Sequence, residues 1–132
     1  MNKILLEESL EYLIDYRGKT PKKTESGIPL ITAKIIKDGR LKDFQEYISE
    51  EDFDDWMLRG MPQENDVCLT VEAPLGEVAQ IPSTKVALAQ RVITMRGKEG
   101  VLDNNYFKYY CMSKRFQNDL DSRATGTTVL GI

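Results

Sequence analysis

The chain has 132 residues, of which 41% are hydrophobic and 30% are charged. This length predicts one domain over residues 1–132, with enough apolar residues for one core. The formal net charge of −3 excludes a general attraction to nucleic acid, and the lack of histidine excludes a catalytic triad built on an imidazole base.

No apolar run approaches the length needed to span a bilayer, so no membrane partner is expected. Residues 1–6 are followed directly by Glu7 and Glu8, which leaves no apolar core for a signal peptide. Cys68 and Cys111 have no metal-binding spacing, and such isolated cysteines are typical of reduced, buried thiols. A cytoplasmic location without a bound metal is predicted.

The first predicted element is a short helix over residues 4–14. Leu6, Leu10, Leu13 and Ile14 recur at helical spacing, with acidic residues between them.

Residues 16–23 combine Gly18, Pro21 and four cations, a composition typical of a loop. Two interpretations stay open. The loop is either a solvated connector or a contact for DNA phosphates, in which Gly18 lets the backbone come close.

Residues 27–32 are predicted to form a strand with Pro29 at its start or on a sheet edge. Asp38-Gly39 then predicts a tight turn, because glycine tolerates positive φ. That turn would place Lys37 and Arg40 side by side.

Residues 44–48 are predicted to return as a strand that leads into a helix. Ser49 can cap this helix, the acidic residues 50–52 complement its dipole, and Gly60 can end it. Helix energetics therefore explains the acidic cluster, which is not interpreted as a metal site.

Residues 66–96 are predicted to form the scaffold of the fold. Pro74 and Pro82 would interrupt any helix in this region, and β-branched residues recur between the breaks. The pattern predicts short antiparallel strands that fold back on one another, at residues 67–71, 78–81, 86–89 and 92–95.

Asp103 is predicted to cap a helix that runs to about residue 123 and packs an aromatic-rich stripe in the core. A polar loop at residues 123–128 and a strand pattern at 129–132 follow. Together these elements predict an α+β fold, with a twisted, mostly antiparallel sheet and short flanking helices.

Charge is unevenly distributed along the chain. Residues 17–42 carry eight cations and two acids, whereas residues 43–66 carry nine acids and one cation. This distribution predicts either one basic and one acidic surface or an ordinary solvated exterior.

Several sequence blocks occur together, in a fixed order and over nearly the whole chain: residues 16–21, 27–33, 38–39, 65–70, 72–79, 89–91 and 123–129. This arrangement resembles a target recognition domain of the specificity subunit (HsdS) of type I restriction-modification enzymes. The resemblance implies a domain that reads one half of a split double-stranded DNA target and has no catalytic activity.

The resemblance also implies partners. Modification subunits use S-adenosylmethionine to methylate adenine, and restriction subunits translocate and cut, so S-adenosylmethionine, ATP and Mg²⁺ belong to those subunits. This chain is expected to bind no cofactor. It ends at Ile132, before the family's spacer helix would begin, which is expected of an excised or truncated domain.

The resemblance and the distribution of donors predict a DNA-binding surface. The predicted phosphate contacts are Arg17, Lys19, Lys22, Lys23, Lys34 and Lys37. The predicted base-reading residues are Arg40, Gln90, Arg91, Thr127 and Thr128. Gly18, Gly39, Gly76 and Gly126 are predicted to shape the loops.

Two other functions are carried as alternatives. One is a protein-interaction domain, or an orphan fragment that pairs with another chain or with a second copy of itself. The other is a metal-dependent nuclease using Asp66 and Glu72, although no lysine follows Glu72 at short distance. Nucleotide-binding glycine patterns are absent from the sequence.

Overall fold

The computed structural model describes residues 8–16, 20–72 and 74–123. In chain order its elements are β1 (Leu10–Asp15), β2 (Lys23–Thr24), β3 (Ile28–Ile31), β4 (Ile36–Lys37), β5 (Arg40–Leu41), β6 (Tyr47–Ile48), α1 (Glu50–Trp56), β7 (Val67–Val71), β8 (Leu75–Gln80), β9 (Ala87–Leu88), β10 (Val92–Gly97), α2 (Asn104–Met112) and α3 (Lys114–Arg123). Short 3-10 turns cover Ala33–Ile35 and Met57–Arg59.

A four-stranded antiparallel sheet with the order β1-β10-β7-β8 forms the central layer. Val67, Leu69 and Val71 of β7 belong to the core that α2 and α3 complete, whereas Cys68 belongs to the core on the other face. Because both faces of the sheet are covered, β7 is a continuous buried run instead of an alternating one.

A smaller sheet with the order β2-β6-β3-β9 contributes the other core. β2, β6 and β3 pair antiparallel, but β3 and β9 are parallel, with Leu30 opposite Ala87 and Ile31 opposite Leu88. The prediction that residues 86–89 continue an antiparallel meander is therefore wrong. A two-residue buried strand carries no sequence signal for its partner, and here packing against β3 decides the pairing.

The predicted fold class, α+β with mostly antiparallel sheets and flanking helices, is confirmed. Residues 28–31 form the predicted strand β3, in which Pro29 lies near the start and only Leu30 and Ile31 pair with β9. The predicted strand at residues 44–48 is shortened to β6. Of the helices that the structure describes, none has the length and apolar composition that crossing a membrane requires.

The predicted helix over residues 4–14 is wrong from residue 10 onwards, whereas residues 8 and 9 are helical. Residues 10–15 are β1, which pairs with β10. An irregularity between Leu10 and Tyr12 shifts the register, so Leu10 and Leu13 pack against one core while Tyr12 and Ile14 pack against the other. The irregularity breaks the two-residue alternation and makes the apolar spacing look helical.

The predicted helix from Asp103 to about residue 123 is two helices. The Asp103 carboxylate accepts from the Tyr106 amide at 3.0 Å, as predicted for a cap. Ser113 is extended (ψ 153°), and its hydroxyl accepts from the Phe116 amide at 3.2 Å, so it ends α2 and starts α3. The break lets Phe107 and Phe116 enter the same core.

Two predicted local features are confirmed. The Ser49 hydroxyl accepts from the Asp52 amide at 3.1 Å and caps α1. Asp38 and Gly39 have φ values of 52° and 83°, so both central residues of the β4–β5 turn lie in the left-handed region that a two-residue hairpin requires.

A buried ion pair holds the start of β7 to the end of β10. Asp66 is 1% exposed, and its two carboxylate oxygens accept from Arg96 at 2.8 Å each. One oxygen also accepts from the Gln63 amide at 2.8 Å. The hydrogen bond to Asp66 raises the pKa of Arg96, so the guanidinium stays charged.

We expect Asp66→Ala to lower the free energy of unfolding by about 3–5 kcal/mol, because it leaves Arg96 without its partner. Urea denaturation measures the loss. Asp54→Asn removes an exposed carboxylate of α1 and serves as the control. Equal free energies of unfolding for Asp66→Ala and Asp54→Asn would show that the Asp66–Arg96 ion pair does not stabilise the fold.

Both thiols are buried inside the two cores. Burial raises the pKa of Cys68 to about 12, although its contact with the Thr94 hydroxyl at 3.3 Å opposes the shift. Burial also raises the pKa of Cys111. Because each folded pKa is raised, the protonated thiols favour folding below pH 9, and this contribution is lost as the pH rises towards the folded values.

At pH 8 we therefore expect neither thiol to react with Ellman's reagent in the folded protein and both to react in denaturant. The free energy of unfolding should fall between about pH 9 and 12, and less steeply in Cys68→Ala. A thiol that reacts rapidly without denaturant would contradict the burial described above.

Candidate nucleic-acid interface

The parallel pairing of β3 and β9 brings two loops to the same edge of the second sheet. Parallel strands end on the same side, so the residues after β3 and the residues after β9 emerge together. The Ala89 amide donates to the Ile31 carbonyl at 3.0 Å and extends this pairing by one step. Thr32 and Lys34 follow one strand, and Gln90 and Arg91 form the turn after the other.

These loops line a cleft of about 200 Å³. The antiparallel pairings of β6 with β2 and β3 bring two further residues to it, Lys23 and Glu46. The Leu30 amide donates to the Glu46 carbonyl at 2.9 Å, which fixes this residue beside the end of β3. Lys23, Lys34 and the adjacent Gln90 and Arg91, which come from three separate stretches of the chain, thus line one cleft.

The cleft contains cations, a carboxylate, an amide and a hydroxyl. Lys23 forms an ion pair with Glu46 at 2.7 Å, and Arg91 forms one with Glu72 at 3.6 Å. Within the described ranges, Lys34 has no ion-pair partner. The balance of charge at the cleft therefore differs from the net negative charge of the whole chain.

Thr32 is 6% exposed, and its hydroxyl oxygen has no hydrogen-bond partner among the described residues. It lines the cleft directly after β3. Buried polar groups in folded proteins nearly always have a partner, so an unpaired hydroxyl at this place favours a polar ligand in the cleft. Sequence reasoning missed Thr32 and Glu46, because neither belongs to a local motif.

The predicted contacts on the β4–β5 hairpin do not line this cleft. Lys37 and Arg40 pair across the hairpin, as predicted, but the Lys37 ammonium contacts the Glu77 carboxylate at 3.5 Å. The same carboxylate accepts from the Asp38 amide at 3.2 Å, which ties the turn to β8. Lys22 is exposed, and no described contact assigns it to the cleft.

Two predicted loop-shaping glycines serve the packing of α2 and α3. A Cβ atom at Gly39 would lie 2.9 Å from the terminal methyl carbon of Met112. Gly76 is inside β8 with φ 92°, and its carbonyl accepts from the Gln117 side chain at 2.9 Å. Arg17, Gly18, Lys19, Gly126, Thr127 and Thr128 lie outside the described residues.

The two carboxylates considered for a nuclease are used separately. Asp66 is engaged by Arg96, and Glu72 by Arg91. The described part of the chain contains no group of three or more Cys, Asp or Glu residues placed to hold a metal ion.

Trp56 of α1 contacts the backbone of β9, the strand that leads into one of the loops of the cleft. The Trp56 indole N–H donates to the Leu88 carbonyl at 2.8 Å, and its ring stacks on Tyr16 at a centroid distance of 5.2 Å. Burial raises the pKa of Tyr16, whose hydroxyl donates to the Gly60 carbonyl at 3.1 Å. Helix α1 thereby holds β9 and the turn that follows it.

No protein-family model matches the chain, and a search of curated proteins found no relative. Among solved structures, the crystal structure of the HsdS subunit from Thermoanaerobacter tengcongensis is similar, with a TM-score of 0.61 and 14% identity over 96% of this chain and 28% of that one. The chain is similar in fold to part of an HsdS subunit.

A second similar chain comes from a structure that describes the assembly and conformational transition of the type I R-M system, with a TM-score of 0.61 and 15% identity over 94% of this chain and 29% of that one. At these identities the likeness concerns the fold, and it confirms the fold that the resemblance implies. This chain spans less than a third of the length of either HsdS-like neighbour.

We expect Trp56→Phe to lower the free energy of unfolding by about 1–3 kcal/mol, because the buried Leu88 carbonyl loses its donor. Circular dichroism in urea measures the loss, since the variant has no tryptophan left to report it. Faster hydrogen exchange of the Ala89 amide should accompany it. Tyr106→Phe, at an exposed position, is the control and should stay within about 0.5 kcal/mol of the parent chain.

Proposed function

We propose that this chain is a DNA target recognition domain that acts as part of a type I restriction-modification specificity subunit. The observation that carries the proposal is the convergence of Lys23, Lys34, Gln90 and Arg91 on one cleft of a domain with an HsdS-like fold. These four residues come from three separate stretches of the chain, and each has the donors that DNA recognition uses.

The chemistry of the cleft suits both parts of DNA recognition. Lys34 supplies charge for phosphate oxygens, which positions the domain on the duplex. Arg91, predicted from the sequence to read bases, is given a phosphate contact here instead, because its guanidinium already pairs with an anionic oxygen, that of Glu72. The Gln90 amide both donates and accepts, as required for the N6 and N7 atoms of adenine in the major groove. The unpaired Thr32 hydroxyl adds a group that satisfies either a donor or an acceptor.

The proposal assigns catalysis to other subunits. The chain directs adenine methylation and DNA cleavage in the cytoplasm, while modification and restriction subunits bind S-adenosylmethionine, ATP and Mg²⁺. The Glu46 carboxylate in the cleft and the Glu72 carboxylate that contacts Arg91 are each paired with a cation, and no group of described residues is arranged as a metal site. A non-catalytic role fits this arrangement.

A protein-interaction role has a specific observation in its favour. Tyr106 and Tyr109 on α2 are 61% and 64% exposed, and Val101 just before the helix is 62% exposed. Exposed aromatic groups of this kind are enriched at protein interfaces. Under the main proposal this face is available to a partner subunit, whereas under the alternative it is the functional surface and the cleft is inactive.

We expect Lys34→Glu and Arg91→Glu each to weaken binding to duplex DNA by about tenfold, the equivalent of one lost charge-assisted contact. The slope of log K against log salt concentration should become shallower by about 0.9 in Lys34→Glu, because Lys34 has no ion-pair partner among the described residues. Fluorescence anisotropy at several salt concentrations measures both quantities.

Lys98→Glu is the matched control, because it makes the same change of charge at the opposite end of β10. Selection from a randomised duplex library, with and without modification subunits, should enrich a short half-site that Gln90→Ala relaxes at one position. Equal binding by the cleft variants and the control, with no enriched half-site, would favour the interaction role.

A further inference from the structure

Two of the three cations in the cleft are already occupied by carboxylates. The Lys23 ammonium lies 2.7 Å from a Glu46 oxygen, and the Arg91 guanidinium lies 3.6 Å from a Glu72 oxygen. Lys34 is the third cation, and no described carboxylate pairs with it. The two glutamates come from different parts of the fold, one before β6 and one after β7, so the pattern is not the product of one helix face or one turn.

Glu46 is held in place by the backbone of the second sheet. Its carbonyl accepts from the Leu30 amide, and its side chain is 21% exposed, half that of Lys23 at 41%. The carboxylate therefore lines the cleft instead of projecting from it. Glu72 is more exposed, at 65%, and its pair with Arg91 is correspondingly more solvated.

We propose that Glu46 and Glu72 are specificity-determining residues that restrain non-specific DNA binding by holding the cations that a phosphate would otherwise contact. This inference rests on the proposed function, because it concerns the same cleft. Phosphate binding at Lys23 or Arg91 becomes an exchange, in which a phosphate oxygen replaces a carboxylate oxygen and the released carboxylate repels the DNA backbone.

The exchange weakens a contact that every DNA sequence offers, and it leaves base contacts unaffected. Phosphate contacts carry no sequence information, whereas contacts from Gln90 and Thr32 to base edges do. Weaker phosphate contacts therefore increase the share of the binding energy that depends on the DNA sequence. The restraint also predicts a shallow salt dependence, because a cation that stays paired with a carboxylate neutralises no phosphate and releases no counterion from the DNA.

The test measures binding of a random-sequence duplex by the full chain and by Glu46→Gln, Glu72→Gln and the double variant, between about 50 and 200 mM salt. Glu99→Gln is the matched control, since it makes the same change in net charge on the loop after β10, where the structure describes no ion pair for it. We expect each cleft variant to bind about two- to five-fold more tightly than the control. The salt slope should steepen by up to about 0.9 per variant.

The same measurement in a Lys23→Gln background shows whether the effect of Glu46→Gln depends on the Lys23 ammonium. In Lys23→Gln, the additional change Glu46→Gln should no longer tighten binding beyond the effect of Glu99→Gln, because the paired cation is gone. The parent chain should bind its selected half-site more tightly than a random duplex. The ratio of these two affinities should be smaller in the double variant Glu46→Gln/Glu72→Gln. Circular dichroism confirms that each variant is folded.

Three results would overturn the inference while leaving the proposed function in place. These are equal affinities for Glu46→Gln and Glu99→Gln, weaker binding by Glu46→Gln, and an effect of Glu46→Gln that persists without Lys23. Absence of binding by the parent chain and by every variant at low salt would instead overturn the proposed function, and the restraint with it.

Discussion

The parallel pairing of β9 with β3 is the constraint on which the arrangement of the site depends. In sequence, β9 lies between two strands of the central sheet, yet it pairs with the second sheet. Between Gln80 and Val92 the chain therefore crosses from one sheet to the other and returns, which ties the two sheets together. The same crossing places the Gln90-Arg91 turn beside Thr32 and Lys34. Without this pairing, the cleft would lose one of its two main walls.

The distribution of charge explains how an acidic chain can carry a cleft that three cations line. The acidic residues at positions 50–52 are used by the N-terminus of α1, and Asp66 is buried against Arg96. These carboxylates are used in the structure of the protein, and the net charge of −3 therefore says little about the field at the cleft. Three cations line the cleft, and two of them pair with glutamates.

Where local chemistry decides the structure, the sequence was sufficient. The Asp38-Gly39 turn and the caps at Ser49 and Asp103 each follow from one side chain or one permitted φ value, and all three are present. The errors fall where partners distant in sequence decide. The register irregularity after Leu10 hid a strand, and the extended backbone of Ser113 divided a helix whose two halves both pack on the core of the central sheet. In both cases a pattern of apolar residues was correct about burial and wrong about geometry.

By itself, the sequence determined the fold class, the burial of both thiols and the helix caps, because these depend on residue type and near neighbours. It also supplied the candidate residues for DNA contact. Only the tertiary structure decided which of those candidates lie together. It gathered Lys23, Lys34, Gln90 and Arg91, assigned Lys37 to Glu77, and added Glu46 and Thr32, which no motif marks. The physical reason is that strand pairing is a long-range choice, made by packing across sheets, and a two-residue strand such as β9 does not encode its partner.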